Sequence, residues 1–198
     1  LYEALGSQSL SNRYLRELRK GGIEVYPGNK YLELLKFHTL GYRNHRKIVV
    51  IDGKIGYLGG LNISQEHLDG GKHFESWRDT HLRMTGQVAS VLQAIFVTSW
   101  YNFTKENLSD ERYFPPHAAS TSYLPIQITT SGPDSQWAGI RQLYFLMILA
   151  AKKHVYIQSP FFIPDDSISE ALKAAALSGV EIKMMFTPRG TLYSVPYW

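Results

Sequence analysis

One stretch of the chain, residues 45–62, limits the possible folds more than any other, because it predicts a β-hairpin. Residues 45–52 (HRKIVVID) contain four consecutive β-branched apolar residues, as strands do, and residues 55–61 (IGYLGGL) form the second predicted strand. The residues between them, Asp52-Gly53-Lys54, are a strong turn signal. His45 and Lys47 are two residues apart in the first predicted strand, so we expect both side chains on one face.

The predicted hairpin assembles a set of polar groups on that face. A two-residue loop, in either of its two possible positions, puts Gly60 and Asn62 on the same face as His45 and Lys47. Glycines at positions 59 and 60 would let a tetrahedral phosphate approach the strand closely. An imidazole beside an ammonium and a carboxamide suits a phosphoryl group, with the imidazole as potential nucleophile. The pattern therefore predicts a phosphoryl-binding site.

Two aspartates are candidates for supporting roles. Asp52 lies seven residues from His45, about 23 Å along an extended strand, and points to the opposite face. It therefore cannot hold the His45 ring, and a structural role at the turn or a contact elsewhere in the fold fits better. The ring still needs an orienting acceptor, for which Asp79 at the start of the next predicted strand is the candidate. The alternative for Asp79 is an ordinary strand-edge acid or a partner of Arg78.

Composition and charge exclude some classes of protein. The 198 residues contain no cysteine, which removes disulfides, zinc–thiolate sites and thiol nucleophiles. The other histidines show no metal-ligand spacing, and we expect surface or core positions for them. A net charge of +4 favours anionic partners such as nucleic acid, anionic lipid or phosphorylated small molecules. The longest apolar run, residues 143–151, is too short for a bilayer span, which needs about 20 residues.

Strands and helices alternate along the chain, which is typical of an α/β layered fold. A polar stretch with Pro115-Pro116, residues 103–123, is expected to be a linker. A helix–glycine–strand unit occurs on both sides of it, either as a duplication or as two unrelated units. The remaining predicted elements are helices at 10–21, 87–101, 136–153 and 167–177, and strands at 23–26, 80–84, 126–130, 155–158 and 181–186.

At residues 45–62 the chain resembles the phospholipase D superfamily, whose HxKx4D motif is followed by a glycine pair and an asparagine. It is most similar to the bacterial cardiolipin synthase branch, a similarity that also covers LRELRKGGIEVYPG, WRDTHLRMTG and SPFFIPDDSISEALKAAALSGVEIKMMF. This resemblance implies an α/β fold with a mixed β-sheet flanked by helices. It also implies that residues 1–118 form a nearly complete first repeat carrying the motif. Residues 119–198 would be the N-terminal part of a second, pseudo-symmetric repeat.

The resemblance also implies a mechanism. His45, Lys47 and Asp52 would be the catalytic motif residues, with His45 attacking a phosphodiester to form a phosphohistidine. Lys47 and Asn62, together with the glycine pair Gly59 and Gly60, would bind the phosphate. Both substrates would be phosphatidylglycerol, the products cardiolipin and glycerol, and no metal or organic cofactor is implied. A second histidine would protonate the leaving group and then activate the incoming alcohol.

The family carries two such motifs, and this sequence has one. We expect the second motif beyond residue 198 or in a homodimer partner. The implied location is the bacterial cell membrane, reached peripherally or through membrane helices outside this segment, with nucleic acid an unlikely partner. The motif leaves two alternatives open. One is a phosphodiesterase of the same fold that hydrolyses phospholipid or nucleic acid, and the other is a non-catalytic anion- or membrane-binding module.

Overall fold

A computed structural model describes residues 1–4, 6–28, 44–72, 75–118, 124–132, 135–160 and 162–186. Within these ranges the fold is mixed α/β, with five α-helices, one antiparallel sheet and one parallel sheet, which confirms the predicted class. The chain divides into two compact units, Leu1–Ile128 and Thr129–Trp198. The predicted repeat boundary at residues 118 and 119 lies within the first of these units.

The sheet of the first unit is an antiparallel meander in the order β1-β2-β3. Its strands are β1 (Ile48–Ile51), β2 (Ile55–Gly59) and β3 (His81–Thr85). Ile48 pairs with Leu58 and Ile51 with Ile55, so the connection between β1 and β2 has three residues, 52–54. The two-residue loop expected from the sequence is therefore wrong, and the register falls between its two predicted positions.

The first unit contains three α-helices and one 3₁₀ helix in its described part. They are α1 (Asn12–Lys20), α2 (Gln65–Asp69), α3 (Gln87–Thr104) and the 3₁₀ helix Glu111–Tyr113. The Ser11 hydroxyl caps α1 by accepting from the Tyr14 N–H at 3.1 Å. Helix α3 covers one face of the sheet, where Ala89 and Leu92 are fully buried.

Leu92 of α3 fits into the space left by a glycine of β2. A Cβ on Gly56 would lie 2.7 Å from Leu92 Cδ1, so the helix approaches the strand there without a side chain between them. The predicted strand at residues 23–26 does not form a ladder. This part of the chain makes instead an isolated parallel bridge between Tyr2 and Pro27.

The described part of the expected linker, up to residue 118, packs onto the first unit. Pro115 lies against the hairpin turn, where a Cβ on Gly53 would be 2.5 Å from its ring carbon Cδ. The imidazole Nε2 of His117 and the hydroxyl of Ser90 on α3 are 2.6 Å apart. These contacts fix the segment to both the hairpin and the helix, so it belongs to the folded unit rather than to a free connection.

The second unit is built from a β-α-β arrangement preceded by a helix. Its elements are α4 (Gly139–Ala150), β4 (His154–Gln158), α5 (Asp166–Leu177) and β5 (Glu181–Met185), with β4 and β5 parallel. These four agree in type with the predicted elements, whereas residues 126–130 form no ladder within the described ranges. The buried core consists of Ile148, Ala171, Leu172, Ala175 and Val180.

Candidate active site

His45 and Lys47 stand immediately before the first paired residue of β1. His45 is exposed and Lys47 is half-buried. The Lys47 Nζ donates a hydrogen bond to the His45 backbone carbonyl at 2.9 Å, which holds the ammonium beside the histidine. Arg46, between them, reaches the Ser99 hydroxyl of α3 at 3.5 Å. Because neighbouring side chains of an extended chain alternate, His45 and Lys47 lie on the face turned away from α3.

The observed register changes which residues of β2 belong to that face. Continuing the pairing of Ile48 with Leu58 by one residue sets Gly59, not Gly60 or Asn62, opposite Lys47. The alternation argument that placed Gly60 and Asn62 there is therefore wrong, because the loop has three residues. The pair His45 and Lys47 and the pair Gly60 and Asn62 nevertheless extend from the same end of the hairpin, because β1 begins where the antiparallel β2 finishes.

The glycine pair is packed against the strand that follows it. A Cβ on Gly59 would lie 2.4 Å from the Thr80 carbonyl oxygen, and a Cβ on Gly60 would lie 2.2 Å from Asp79 Oδ1. The Gly60 N–H also donates to the Thr80 carbonyl at 3.2 Å. The space that side chains would fill is thus occupied by the protein itself. Packing accounts for both glycines, and their contact with a phosphate stays a prediction.

Asp52 occupies the first position of the hairpin loop, at the opposite end of β1 from His45. Its φ angle is 53°, in the left-handed region, and that of Gly53 is 64°. The Lys54 N–H closes the turn on the Ile51 carbonyl at 3.0 Å. Aspartate is one of the few non-glycine residues that adopts this conformation readily. The structure therefore gives Asp52 a role in the turn, and its assignment to the catalytic set stays a prediction.

Asp79 lies beside a histidine, but that histidine is His67. Asp79 Oδ2 is 3.9 Å from His67 Nδ1, while Asp79 Oδ1 accepts from the Thr80 N–H at 2.7 Å. Among the described residues no hydrogen bond or ion pair joins Asp79 to His45. Its predicted function as the carboxylate that orients the His45 ring therefore stays a prediction.

His67 is the residue that the sequence analysis missed. It was expected to be a surface or core residue, yet its ring contacts Asn62 through both nitrogens, each at 3.2 Å. The alternation of side chains along a strand could not predict this contact, because β2 ends before Asn62. The contact depends instead on the tight turn after Asn62, where the Ser64 N–H donates to the Asn62 carbonyl at 3.0 Å, and on α2, which starts at Gln65 and places His67 over Asn62.

The chemistry available here is that of a cationic, hydrogen-bonding surface at the open end of the hairpin. Lys47 supplies a positive charge beside His45, and Asn62 supplies an amide at the same end of the hairpin. Over the described ranges, no group of three or more His, Cys, Asp or Glu side chains is arranged to hold a metal ion. Nor does any helix in the described part have the length and hydropathy needed to span a membrane.

No family model matches the chain. An HxKx4D segment that runs from the open end of a hairpin to its loop, followed by a glycine pair and an asparagine in a mixed α/β fold, defines a phospholipase D-like protein. Curated proteins supply the finer assignment. The cardiolipin synthase of Geobacillus kaustophilus (strain HTA426) is 44% identical over 96% of this chain and 38% of its own length. Cardiolipin synthase 2 of Bacillus cereus is 41% identical over 100% of the chain and 38% of its own.

A third relative, the cardiolipin synthase of Listeria monocytogenes serotype 4a, is 44% identical over 93% of the chain and 39% of its own length. The chain is a homologue of these bacterial cardiolipin synthases, and with them it belongs to the phospholipase D superfamily. The chain spans about 38% of the length of the Geobacillus and Bacillus relatives.

Proposed function

We propose that the chain takes part in phosphatidyl transfer between two phosphatidylglycerol molecules, giving cardiolipin and glycerol. The observation that carries the proposal is the 40–44% identity, over nearly the whole chain, to proteins named cardiolipin synthase. The hydrogen bond from Lys47 Nζ to the His45 backbone carbonyl supports it, because it holds an ammonium near the residue that would attack, and an ammonium attracts and polarises a phosphodiester.

His45 is the nucleophile in this proposal. A ring nitrogen of His45 forms a bond to phosphorus, the bond from phosphorus to the glycerol oxygen breaks, and that oxygen takes a proton from a second histidine. The hydroxyl of a second phosphatidylglycerol then returns a proton to the second histidine and attacks phosphorus. The nitrogen–phosphorus bond breaks, which releases cardiolipin and restores His45. Lys47 and Asn62 bind the non-bridging oxygens in both steps.

The second histidine comes from chain outside residues 1–198 or from a second copy of the protein. The two sources differ in how activity depends on concentration. If a second copy supplies the histidine, specific activity falls on dilution through the dissociation constant of the dimer. If the same polypeptide supplies it, specific activity is independent of dilution.

A covalent trap tests the proposed nucleophile. The protein, expressed at the full length that its gene encodes, is incubated with phosphatidylglycerol labelled in its phosphodiester, quenched in alkali and mapped by peptide mass. We expect label on the peptide that contains His45 and none in H45A. H154A serves as the matched control, because His154 is an exposed histidine in β4. Label confined to another peptide would make His45 the acid–base partner, and a complete absence of label would contradict covalent catalysis.

The products distinguish transfer from hydrolysis, since water and an alcohol compete for the same phosphohistidine. Mass spectrometry of the extracted lipids should find cardiolipin and free glycerol from phosphatidylglycerol. Phosphatidic acid without cardiolipin would establish a hydrolase instead. Phosphate binding without either product would establish a non-catalytic binding module.

A further inference from the structure

The ring of His67 lies across Asn62, and the pattern of contacts restricts where its proton sits. The Asn62 backbone N–H donates to His67 Nδ1 at 3.2 Å. The Asn62 side-chain nitrogen Nδ2 lies 3.2 Å from His67 Nε2, so two donors of Asn62 face the ring. A neutral imidazole has one acceptor nitrogen and one donor nitrogen. Because Nδ1 is the acceptor here, Nε2 carries the hydrogen.

This tautomer determines which end of the Asn62 amide faces the ring. An Nε2–H group needs an acceptor, and the amide offers one only through Oδ1. The oxygen and nitrogen of an amide exchange places by a half-turn, so the hydrogen-bond network decides which atom faces His67. The network sets Oδ1 toward Nε2 and turns the NH2 group of Asn62 away from the ring. Asn62 is an exposed residue, so the two N–H donors are presented outward.

We propose that His67 is a positioning residue, which holds the Asn62 amide so that its NH2 group is available to an anionic phosphoryl oxygen. This inference rests on the proposed function of Asn62 in binding phosphate. His67 itself need not touch the substrate. Without the ring, the amide would rotate freely and would offer its oxygen, which repels an anion, as often as its nitrogen.

The surroundings of His67 are those of a fixed group. Only 11% of its side chain is exposed, and its ring centroid lies 4.3 Å from that of Trp77. Asp79 Oδ2 lies 3.9 Å from Nδ1, but Nδ1 carries no hydrogen to donate to it in this tautomer. The ring is thus clamped on one side by an aromatic residue, and its two nitrogens are both used on Asn62.

Nuclear magnetic resonance of the imidazole nitrogens tests the tautomer without any substrate. On the protein at the full length its gene encodes, long-range proton–nitrogen correlation should find hydrogen on His67 Nε2 and none on Nδ1. Hydrogen on Nδ1, or on both nitrogens, would overturn the proposal, because Nδ1 would then donate toward Asp79 instead of accepting from Asn62.

A double-mutant cycle tests the link to Asn62, with inorganic phosphate as the probe. H67F keeps the ring contact with Trp77 but removes both nitrogens, and we expect it to weaken phosphate binding about 3- to 10-fold, as the loss of one net hydrogen bond does. In the N62A background the same change should have no further effect. H67Q, which restores a donor and an acceptor, should recover part of the affinity. H154F is the matched control, since His154 stacks on Tyr156 at 4.6 Å.

Steady-state kinetics on phosphatidylglycerol provides the second readout. A positioning role predicts that H67F changes KM and kcat in the same proportions as N62A does, with unchanged melting temperature. Equal and additive effects of H67F in both backgrounds would overturn the proposal and leave His67 a packing residue. If N62A binds phosphate normally, the proposed function of Asn62 fails, whereas the tautomer measurement still decides whether His67 orients the amide.

Discussion

At the scale of single residues, the glycine pair of the motif has a physical reason that is independent of any ligand. Gly59 and Gly60 lie where β3 begins, and the carbonyl of Thr80 and the carboxylate of Asp79 occupy the volume of the missing side chains. The pair therefore lets the chain bring Asp79 close to the end of β2. Asp79 in turn lies beside His67, so the glycines help to build the surroundings of Asn62.

Alanine at these positions is expected to be destabilising, and more so at position 59 than at 60. G60A would push the Asp79 side chain away from the Thr80 N–H, whereas G59A would meet backbone atoms, which move less easily. We expect a loss of about 1–3 kcal/mol in the free energy of unfolding for G60A and a larger loss for G59A. Urea denaturation measures both.

G21A is the matched control for the glycine variants. Gly21 follows α1 with a φ angle of −79°, and its nearest neighbour to a Cβ is 3.4 Å away. The free energy of unfolding of G21A should stay within about 0.5 kcal/mol of that of the parent protein. Equal stability of G59A and G21A would contradict the packing explanation.

At the scale of elements, the sequence patterns predicted the helices and strands whose ends are marked by local features of the sequence. Helix α1 has its serine cap, and α5, β4 and β5 form within a few residues of their predicted bounds. The hairpin register was missed by one residue, because Asp52 adopts a left-handed conformation that lengthens the loop. Residues 23–26 have strand composition but form no ladder, and only the next residue, Pro27, makes a single bridge, to the distant Tyr2. For the same reason, the alternation of side chains along a strand could not predict the contact of His67 with Asn62.

The left-handed conformation of Asp52 in the hairpin loop leads to a prediction about the stability of Asp52 variants. D52N should leave stability within about 0.5 kcal/mol of the parent protein, because asparagine tolerates the left-handed region as aspartate does. D52V should cost about 1–2 kcal/mol, since a β-branched side chain clashes with the backbone at positive φ. Thermal unfolding of the two variants measures the difference. Loss of transfer activity in D52N at unchanged stability would assign Asp52 a part in the chemistry instead.

The start of α5 makes the second unit sensitive to acid. Asp165 caps the helix by accepting from the Ile168 N–H at 2.9 Å, and Arg141 of α4 also donates to its carboxylate. The Arg141 hydrogen bond is the main cause that holds the pKa of Asp165 below its ordinary value of 3.8, and the Ile168 N–H adds to it. A lowered folded-state pKa stabilises the fold above the ordinary pKa.

This stabilisation is expected to disappear as the pH falls below about 4 and passes through the folded-state pKa. D165N keeps a capping side chain but cannot ionise, so its melting temperature should fall less steeply with acid than that of the parent protein. Circular dichroism melts from neutral pH downward provide the comparison, with D166N as control because Asp166 does not bind Arg141. Parallel curves for D165N and the parent protein would refute the argument.

At the scale of the whole molecule, the net charge of +4 is not spread evenly along the chain, because basic residues are clustered. Helix α1 has four basic residues and one acidic residue within nine positions. Arg13 pairs with Glu17, and Arg19 donates to the Val25 carbonyl. Arg16 and Lys20 are also exposed and lie four residues apart on the helix surface. Such a surface attracts anionic headgroups, which fits a protein whose relatives are named for a phospholipid product.

Reversal of both charges is expected to weaken attachment to anionic membranes. The R16E/K20E variant should bind vesicles of phosphatidylglycerol and phosphatidylcholine at least about 30-fold less tightly, given about 1 kcal/mol per basic residue near such a surface. Cosedimentation measures the bound fraction, and added salt should reduce the difference. The charge-conserving R16K/K20R variant is the control. Unchanged binding of R16E/K20E would exclude α1 from the membrane-facing surface.

The three-residue turn between β1 and β2 has a consequence for how this protein family can change over generations. Removing or adding one residue there would exchange the two faces of β2 relative to β1, turning Gly56 away from Leu92 and exposing the core. A side-chain replacement in the turn has no such effect, because it leaves the pairing intact. Changes in the length of this turn are therefore expected to be tolerated less well than those changes of residue type that the positive φ angles of Asp52 and Gly53 allow.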